Sequence, residues 1–466
     1  MPRLVPLRAR DDVHARVSAA IAQAVLGRPQ LIVVSGLRRV GKTLLVQHAL
    51  ASMEGEVTPV YFAATQAGAP EELRRFTERL SEVLGAGSIP PGFSPRTWEE
   101  ALRFVAFAAR SRPIALAIDE ATYLMESSPG FAGMVQAVWD EISMQADPPR
   151  LAIVLTGSAL GLVESMLSGR GALFQRPTLA VRLDPFTPAQ AYDFCGRPDP
   201  VSLFEGFAAC GGYPLHLDTW DFEQTAESNL LRMAFSPGSV LLEAGSLTLA
   251  ALSEANRRVL YAVGEGRARS SDIAGAVGTR PDRSLDALQR SRLVSAVRPL
   301  RAPLKVRPEY RIADSFLRFW FRVLANSVQL IEAGQGAAVM ARSEGAWKGQ
   351  LGWVFEQAAR DHAVRLVSSG VLPSDTEVGE WWATGAVPVQ VDVLGLRGKE
   401  TVLVGEARWQ AQPLGANDVR ELNAKLQLVP SPAFDRKLIL WGRGGVRPEV
   451  QVGGVSGFGP LEMLSG

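Results

Sequence analysis

Leu31-Ile32-Val33-Val34-Ser35-Gly36-Leu37-Arg38-Arg39-Val40-Gly41-Lys42-Thr43 is the stretch on which the reading of the chain turns. Leu31 to Val34 is a continuous apolar run rich in β-branched residues, the pattern of a strand buried on both faces of a parallel sheet. From Gly36 the spacing is Gly, four open positions, Gly, Lys, Thr, and Leu44 to Leu50 then reads as a helix. Gly36 and Gly41 let the backbone of Leu37, Arg38, Arg39 and Val40 curl so that amide groups point inward, and the helix presents its positive end to the same place. Such a cradle takes phosphate. Lys42 would reach the β- and γ-phosphates, and Thr43 would offer a hydroxyl to Mg²⁺. A chance glycine turn before Lys-Thr is the plain alternative, and the flanking strand and helix argue against it.

Working outward, Pro59 to Ala63 is the next strand pattern, and a long helical and loop region broken at Pro90-Pro91 follows. Pro113 to Asp119 is then a buried-strand pattern ending in Asp119-Glu120. Parallel sheets bind ligands at the carboxyl ends of their strands, so these acids stand where a nucleotide would lie. Asp119 is placed to hold the Mg²⁺ shell through water, and Glu120 to polarise the water that attacks a γ-phosphate. A solvated acidic turn is the alternative. Leu151 to Leu155 is a further strand, ending in Thr156-Gly157-Ser158, where Thr156 or Ser158 is a candidate sensor of the γ-phosphate. Beyond a helix ending near Leu167, Arg170 and Arg176 lie in a loop. Arg176 is the candidate for stabilising charge on a transferring phosphoryl group, in cis or from a neighbouring subunit, although most loop arginines only face solvent. With Leu179 to Leu183 as last strand, this alternation predicts an α/β sheet wound with helices on both sides.

Composition narrows the classes. Hydrophobic residues make up 47% and charged residues 21% of the 466 positions, which argues against disorder, and a chain this long exceeds one ordinary core. No apolar run is long enough to cross a bilayer, and the amino end has no apolar signal core, so a cytoplasmic protein without membrane contact is expected. Cys195 and Cys210 form neither a Cys-x-x-Cys pair nor a metal set with the four histidines. A net charge of +1 leaves only local surfaces for nucleic acid.

Such surfaces occur in the middle of the chain. Helices from Leu252 to Val263, from Ser271 and from Asp282 to Arg290 suit a helix-turn-helix, and Val294 to Val297 with Tyr310 to Ile312 suit the strands of a wing. The third helix would present Arg280, Arg283 and Arg290, and the wing Arg298, Arg301, Lys305 and Arg307. Between Arg280 and Arg311 there are nine basic residues and three acids, a footprint suited to DNA. A protein-docking module is the competing reading. The aromatics of Phe316 to Phe321 read as core anchors.

In the last third, a helix from Gly345 to Val367 precedes strand patterns at Glu380 to Trp382, Val387 to Val393 and Thr401 to Trp409. A helix from Asn417 to Leu428 and a strand from Lys437 to Trp441 follow. Glu406 and Arg408 share one strand face, and a hairpin partner can bring Asp392 beside them. An Asp and a Glu at such a strand pair can hold a divalent metal that activates water.

GLRRVGKT, the strand ending Asp119-Glu120 with Tyr123-Leu124 after it, Thr156-Gly157-Ser158, Phe186 to Ala191 and Gly211-Gly212-Tyr213-Pro214 together resemble the archaeal-type ATPases of the STAND branch of AAA+-related P-loop NTPases. The resemblance implies an α/β P-loop NTPase sheet at 1–184, a helical lid at 185–245, a winged helix at 246–330 and a small α/β restriction-endonuclease-like domain at 331–466. It implies an ATP-binding, ATP-hydrolysing switch using Mg²⁺, with DNA or a protein as partner and an oligomer where an arginine acts in trans. Alternatives are an ATP-gated, metal-dependent DNA nuclease and a DNA-binding regulator or scaffold without turnover. In the endonuclease-like motif, Asp392 and Glu406 match the acids, while Arg408 stands where that family has lysine. Arginine stays protonated, so the missing ammonium would have to come from Lys425 on the following helix.

Overall fold

Strand β1 (Gln30–Gly36) is buried along most of its length, and the apolar run that predicted it lies inside a five-stranded sheet, with a neighbour on either side. Its neighbours are β2 (Thr58–Ala63), β3 (Ile114–Asp119), β4 (Leu151–Gly157) and β5 (Leu179–Leu183), in the order β2-β3-β4-β1-β5, all parallel. β3 and β4 are buried at every position, which is why they read as unbroken apolar runs rather than alternating ones. The computed structural model describes residues 4–303, 305–383, 388–452 and 454–465; Val387, where one strand was expected to begin, lies outside them. The chain divides into two compact units, Met1–Pro185 and Phe186–Gly466.

In the first unit, helix α1 (Asp11–Val25) buries Val17 and Ile21, and α2 (Lys42–Ser52) leaves the glycine turn after β1. α3 (Ala69–Leu84) and α4 (Trp98–Ala108) fill the long connection between β2 and β3. α5 (Ala121–Ser127) and α6 (Phe131–Ser143) follow β3, and α7 (Leu160–Leu167) follows β4. Much of the core on one side is aromatic. The Trp98 ring lies 5.1 Å from Phe76 and 5.4 Å from Phe131, tilted against the first and edge-on to the second, the offset geometries that aromatic rings prefer.

The second unit begins with short helices, the segment expected as a lid. Its helix Pro200–Cys210 packs through Phe204, whose ring lies 5.3 Å from Phe355 and 5.8 Å from Trp409. The Gly-Gly-Tyr-Pro step is a tight corner. A Cβ at Gly212 would stand 2.1 Å from the Phe186 carbonyl oxygen, and the buried Tyr213 hydroxyl donates to Asp314 at 2.8 Å. Helices Glu254–Gly264, Ser270–Val277 and Asp282–Arg290 precede an antiparallel pair, β6 (Val294–Val297) and β7 (Glu309–Ile312). Phe316, Phe319, Trp320 and Phe321 are buried, as expected of anchors.

The long helix Glu344–Ser368 then leads into a second sheet of β8 (Glu377–Ala383), β9 (Val389–Arg397), β10 (Glu400–Arg408), β11 (Pro432–Gly442) and β12 (Val455–Phe458). β8, β9 and β10 are antiparallel, and β11 and β12 add in parallel. β12 was not anticipated from the sequence. Val455-Ser456-Gly457-Phe458 is short, and its glycine is required by packing: a Cβ there would stand 2.5 Å from Val446.

Candidate functional site

The turn between β1 and α2 is shaped by contacts that few residues tolerate. A Cβ at Gly36 would stand 2.4 Å from the Leu183 carbonyl oxygen, and Gly41 takes a φ of 95° as the residue that opens α2. Arg39 adopts a φ of 68°, so left-handed and right-handed residues follow one another, the backbone pattern of an anion nest. Val40 is buried beneath the turn, and Arg38 reaches across to donate to the Tyr123 hydroxyl at 3.0 Å.

Lys42 is buried, and its ammonium donates to the carbonyls of Gly36 at 3.0 Å and Leu37 at 2.9 Å and to the Ser158 hydroxyl at 2.7 Å. Burial lowers its pKa, and the charges of Glu120 and Asp119 act in the opposite direction. Thr43 donates to Asp119 Oδ2 at 2.7 Å. Helix α2, which leaves β1, and strand β3 thus deliver a hydroxyl and a carboxylate to one point, although β4 lies between β1 and β3 in the sheet.

The other Asp119 oxygen accepts from the buried Thr156 hydroxyl, which itself accepts the Glu120 amide at 2.9 Å. Glu120 sits at a φ of 52°, a left-handed conformation uncommon for a residue with a side chain. Its carboxylate accepts from the Ser158 amide at 3.1 Å and from the Ser158 hydroxyl. Of the two sensor candidates, Thr156 is committed to the Asp119 carboxylate and the Glu120 amide, while Ser158 joins Glu120 to Lys42. Tyr61, which the sequence reading missed, donates its phenol to Asp119 Oδ2 at 2.7 Å, and burial raises its own pKa. The signal was one polar group in the strand Pro59 to Ala63, and only the parallel pairing of β2 with β3 shows what it faces.

Arg176 is not brought to this cluster in the structure: its guanidinium grips Asp140 of α6 with two hydrogen bonds of 2.8 Å. That pairing holds the Asp140 carboxyl below the usual carboxylate range.

At the second candidate site, Asp392 of β9 and Glu406 of β10 are buried on adjacent strands, and the Ala407 amide donates to Asp392 Oδ2 at 3.1 Å. Lys425 lies 2.5 Å from Glu406 Oε1, and Arg408 lies 3.3 Å from Oε2, which accepts no hydrogen bond. Arg408 also reaches Glu421 at 3.2 Å and so points partly outward. Burial and Asp392 hold both Glu406 and Glu356 above the usual carboxylate range. Among the described residues no three acids, histidines or cysteines gather as a ready metal cage.

The basic middle segment is divided. Arg280 and Arg283 are exposed, but Arg301 pairs with Glu377 at 2.6 Å, and Leu300 donates its amide to the Glu380 carbonyl at 2.9 Å. Arg311 pairs with Glu380 at 2.8 Å. The segment expected as a free basic wing is therefore partly tied to the edge strand β8, which covers that edge.

A Walker-type ATPase of Pyrococcus abyssi is similar over 69% of this chain and 99% of that one, with a TM-score of 0.50 and 21% identity. The fold is that of the P-loop ATPases. The P-loop ATPase sheet of the first unit carries the glycine turn and both acids at the carboxyl ends of its strands. The ORC2 protein of Aeropyrum pernix, described in ADPNP-ADP complexes, matches at 15% identity and a TM-score of 0.49, over 73% of this chain and 97% of that one. Residues 320–422 match a family described as archaeal and bacterial proteins of unknown function, DUF234. No curated protein matches the chain. No helix among the described residues is long and apolar enough to cross a membrane.

Proposed function

We propose that the protein binds and hydrolyses ATP and uses the cycle as a conformational switch. One observation carries this reading: Lys42, Thr43, Asp119, Glu120 and Ser158 form a single hydrogen-bonded network around the glycine turn, with Thr156 joining Asp119 to the Glu120 amide. The donor set suits a nucleotide with Mg²⁺. Thr43 and, through water, Asp119 would hold the ion, which when bound supplies charge neutralisation to the phosphates. The backbone amides from Leu37 to Gly41 would cradle phosphate oxygens. Lys42, whose ammonium now donates only to neutral oxygens, would turn to the γ-phosphate. Ser158 would then be free of Lys42 and hold Glu120 alone, leaving that carboxylate to orient and polarise the attacking water.

The experiment is a pair of variants. Lys42→Ala removes nucleotide binding, whereas Glu120→Gln binds ATP and does not turn it over. Normal turnover by Glu120→Gln would refute the choice of carboxylate.

In the second unit, the helices Glu254–Gly264 to Asp282–Arg290 with β6 and β7 are read as a winged helix that contacts DNA or a protein partner through Arg280, Arg283 and Arg290. The region 331–466 is read as restriction-endonuclease-like. The position of Lys425 on Glu406 favours this second reading, because it supplies the ammonium that Arg408 does not. Asp392 and Glu406 would hold a divalent ion that activates water, and the buried Glu406 Oε2, which accepts no hydrogen bond although Arg408 lies 3.3 Å away, is suited to a cation. Mg²⁺- or Mn²⁺-dependent nicking of DNA, lost in Asp392→Ala and Glu406→Ala, tests it.

A further inference from the structure

A cavity of about 480 Å³ lies in the second unit, between the helix Glu254–Gly264, strand β7 and the long helix Glu344–Ser368. Its wall carries three guanidinium groups, Arg311, Arg318 and Arg322, against one acid, Glu356. Arg311 is already neutralised by Glu309 at 2.7 Å and Glu380 at 2.8 Å. Arg318 and Arg322 are different: among the described residues neither has a carboxylate within ion-pairing distance.

Arg318 is held in place by neutral groups. Its guanidinium lies 4.6 Å from the centre of the Trp353 ring and donates to Gln350 Oε1. Gln350 is fully buried and fixed in turn by its own donations to the carbonyls of Ala208 and Ser315, each at 3.0 Å. A planar fork clamped in this way loses little freedom when it meets an anion. Burial, and then the charge of Arg322, hold its pKa down at about 10, while Glu356 acts in the opposite direction, and the guanidinium stays protonated at neutral pH. Arg322 stands exposed on the widened turn Trp320–Leu324, a π-helical geometry that recurs at functional sites.

The long helix Glu344–Ser368 contributes Trp353 and Glu356 to the cavity, and beside them a bare stretch. Gly345, Gly349 and Gly352 recur at i, i+4 and i+7 on the long helix, and a Cβ at any of them would meet nothing within 4 Å. Packing therefore does not require glycine there, and alanine would favour the helix at each. Gly349 and Gly352 line the cavity, where the missing side chains keep the approach to the arginines open.

We propose that this cavity is a phosphoester-binding site, in which Arg318 and Arg322 take the phosphate oxygens of a nucleotide unit carried on a nucleic acid strand or free in solution. Guanidinium forks beside a recess are the donors that phosphate oxygens take best. The site is separate from the P-loop and needs no ATP.

The test uses the full chain without ATP. A fluorescent single-stranded DNA oligonucleotide is followed by anisotropy, and thymidine monophosphate by calorimetry. Arg322→Ala and Gly349→Glu weaken whichever probe binds on the order of tenfold, the loss of one charge-assisted contact, and leave the circular dichroism and thermal transition unchanged. Arg318→Lys, which keeps the charge and loses the fork, weakens binding as well. Binding of the oligonucleotide alone assigns the phosphate to a strand, and binding of the monophosphate assigns it to a free nucleotide; both uphold the site. It is overturned if neither probe binds, or if Arg322→Ala and Gly349→Glu bind as the wild type; loss of binding in Arg280→Glu with Arg283→Glu would then place the phosphate on that helix instead.

Discussion

The Lys42 ammonium donates to the Ser158 hydroxyl at 2.7 Å, and the same hydroxyl donates to Glu120. Three residues far apart in sequence, two of them charged, are thereby joined through one oxygen. Ser158→Ala removes that oxygen and leaves Lys42 its two carbonyl partners. Nucleotide affinity should change little, whereas kcat should fall on the order of tenfold, because Glu120 keeps the Ser158 amide but loses the hydroxyl, one of its two orienting donors. Steady-state turnover beside equilibrium binding separates the two effects.

Tyr61→Phe tests the phenol on Asp119. It removes one of three hydroxyls that donate to this buried carboxylate, at a stability cost of about 1 kcal/mol. Asp119 is also the acid proposed to hold the Mg²⁺ shell, so the variant should need more Mg²⁺ for tight ATP binding. Titrating Mg²⁺ against a fixed concentration of fluorescent ATP analogue measures the shift.

Gly36→Ala should be destabilising. Its Cβ would overlap the Leu183 carbonyl of the neighbouring strand at 2.4 Å, so β1 and β5 would have to separate or the turn would have to shift. A loss of about 1–3 kcal/mol, read from thermal unfolding, should accompany a loss of nucleotide binding.

The turn at Gly36–Thr43 and the strand ending Asp119-Glu120 were legible because each is local: a spacing, and an apolar run closed by acids. The contacts of Ser158 and Tyr61 were not, because they depend on β4 lying between β1 and β3 and on β2 pairing with β3, facts of strand order that no single segment contains. Lys425 was legible only as a substitute for the ammonium that Arg408 lacks. The tying of Arg301 to Glu377 could not be read, since 76 positions separate them and only charge relates them. Arg176 had the right residue type in a loop after the sheet, but Asp140 claims it through a geometry that the sequence does not encode locally.

His362 gives a pH signature of the C-terminal packing. Trp441 donates its indole N–H to His362 Nδ1 at 3.0 Å, and burial pushes the imidazole down to about 4. The folded protein therefore keeps this ring neutral between about pH 6.5 and 4, while the unfolded chain takes up the proton. This group's contribution to stability is present above the unfolded value and is lost as the pH falls through that window. With four histidines in the chain, proton NMR of the ring resonances should show one that titrates near 4, absent in His362→Gln.

If Arg280 and Arg283 contact phosphates, replacing each with Ala should weaken DNA binding and reduce the dependence of log K on log salt by about one per contact. Arg301→Ala should leave that slope unchanged, because its charge is already paired with Glu377.

Calorimetric titration of the full chain with Mg²⁺ and a slowly hydrolysed ATP analogue tests the central claim most directly. The wild type and Glu120→Gln should bind nucleotide alike and Lys42→Ala should give no heat of binding; an inert wild type, or a Lys42→Ala variant that binds as the wild type does, would contradict the account.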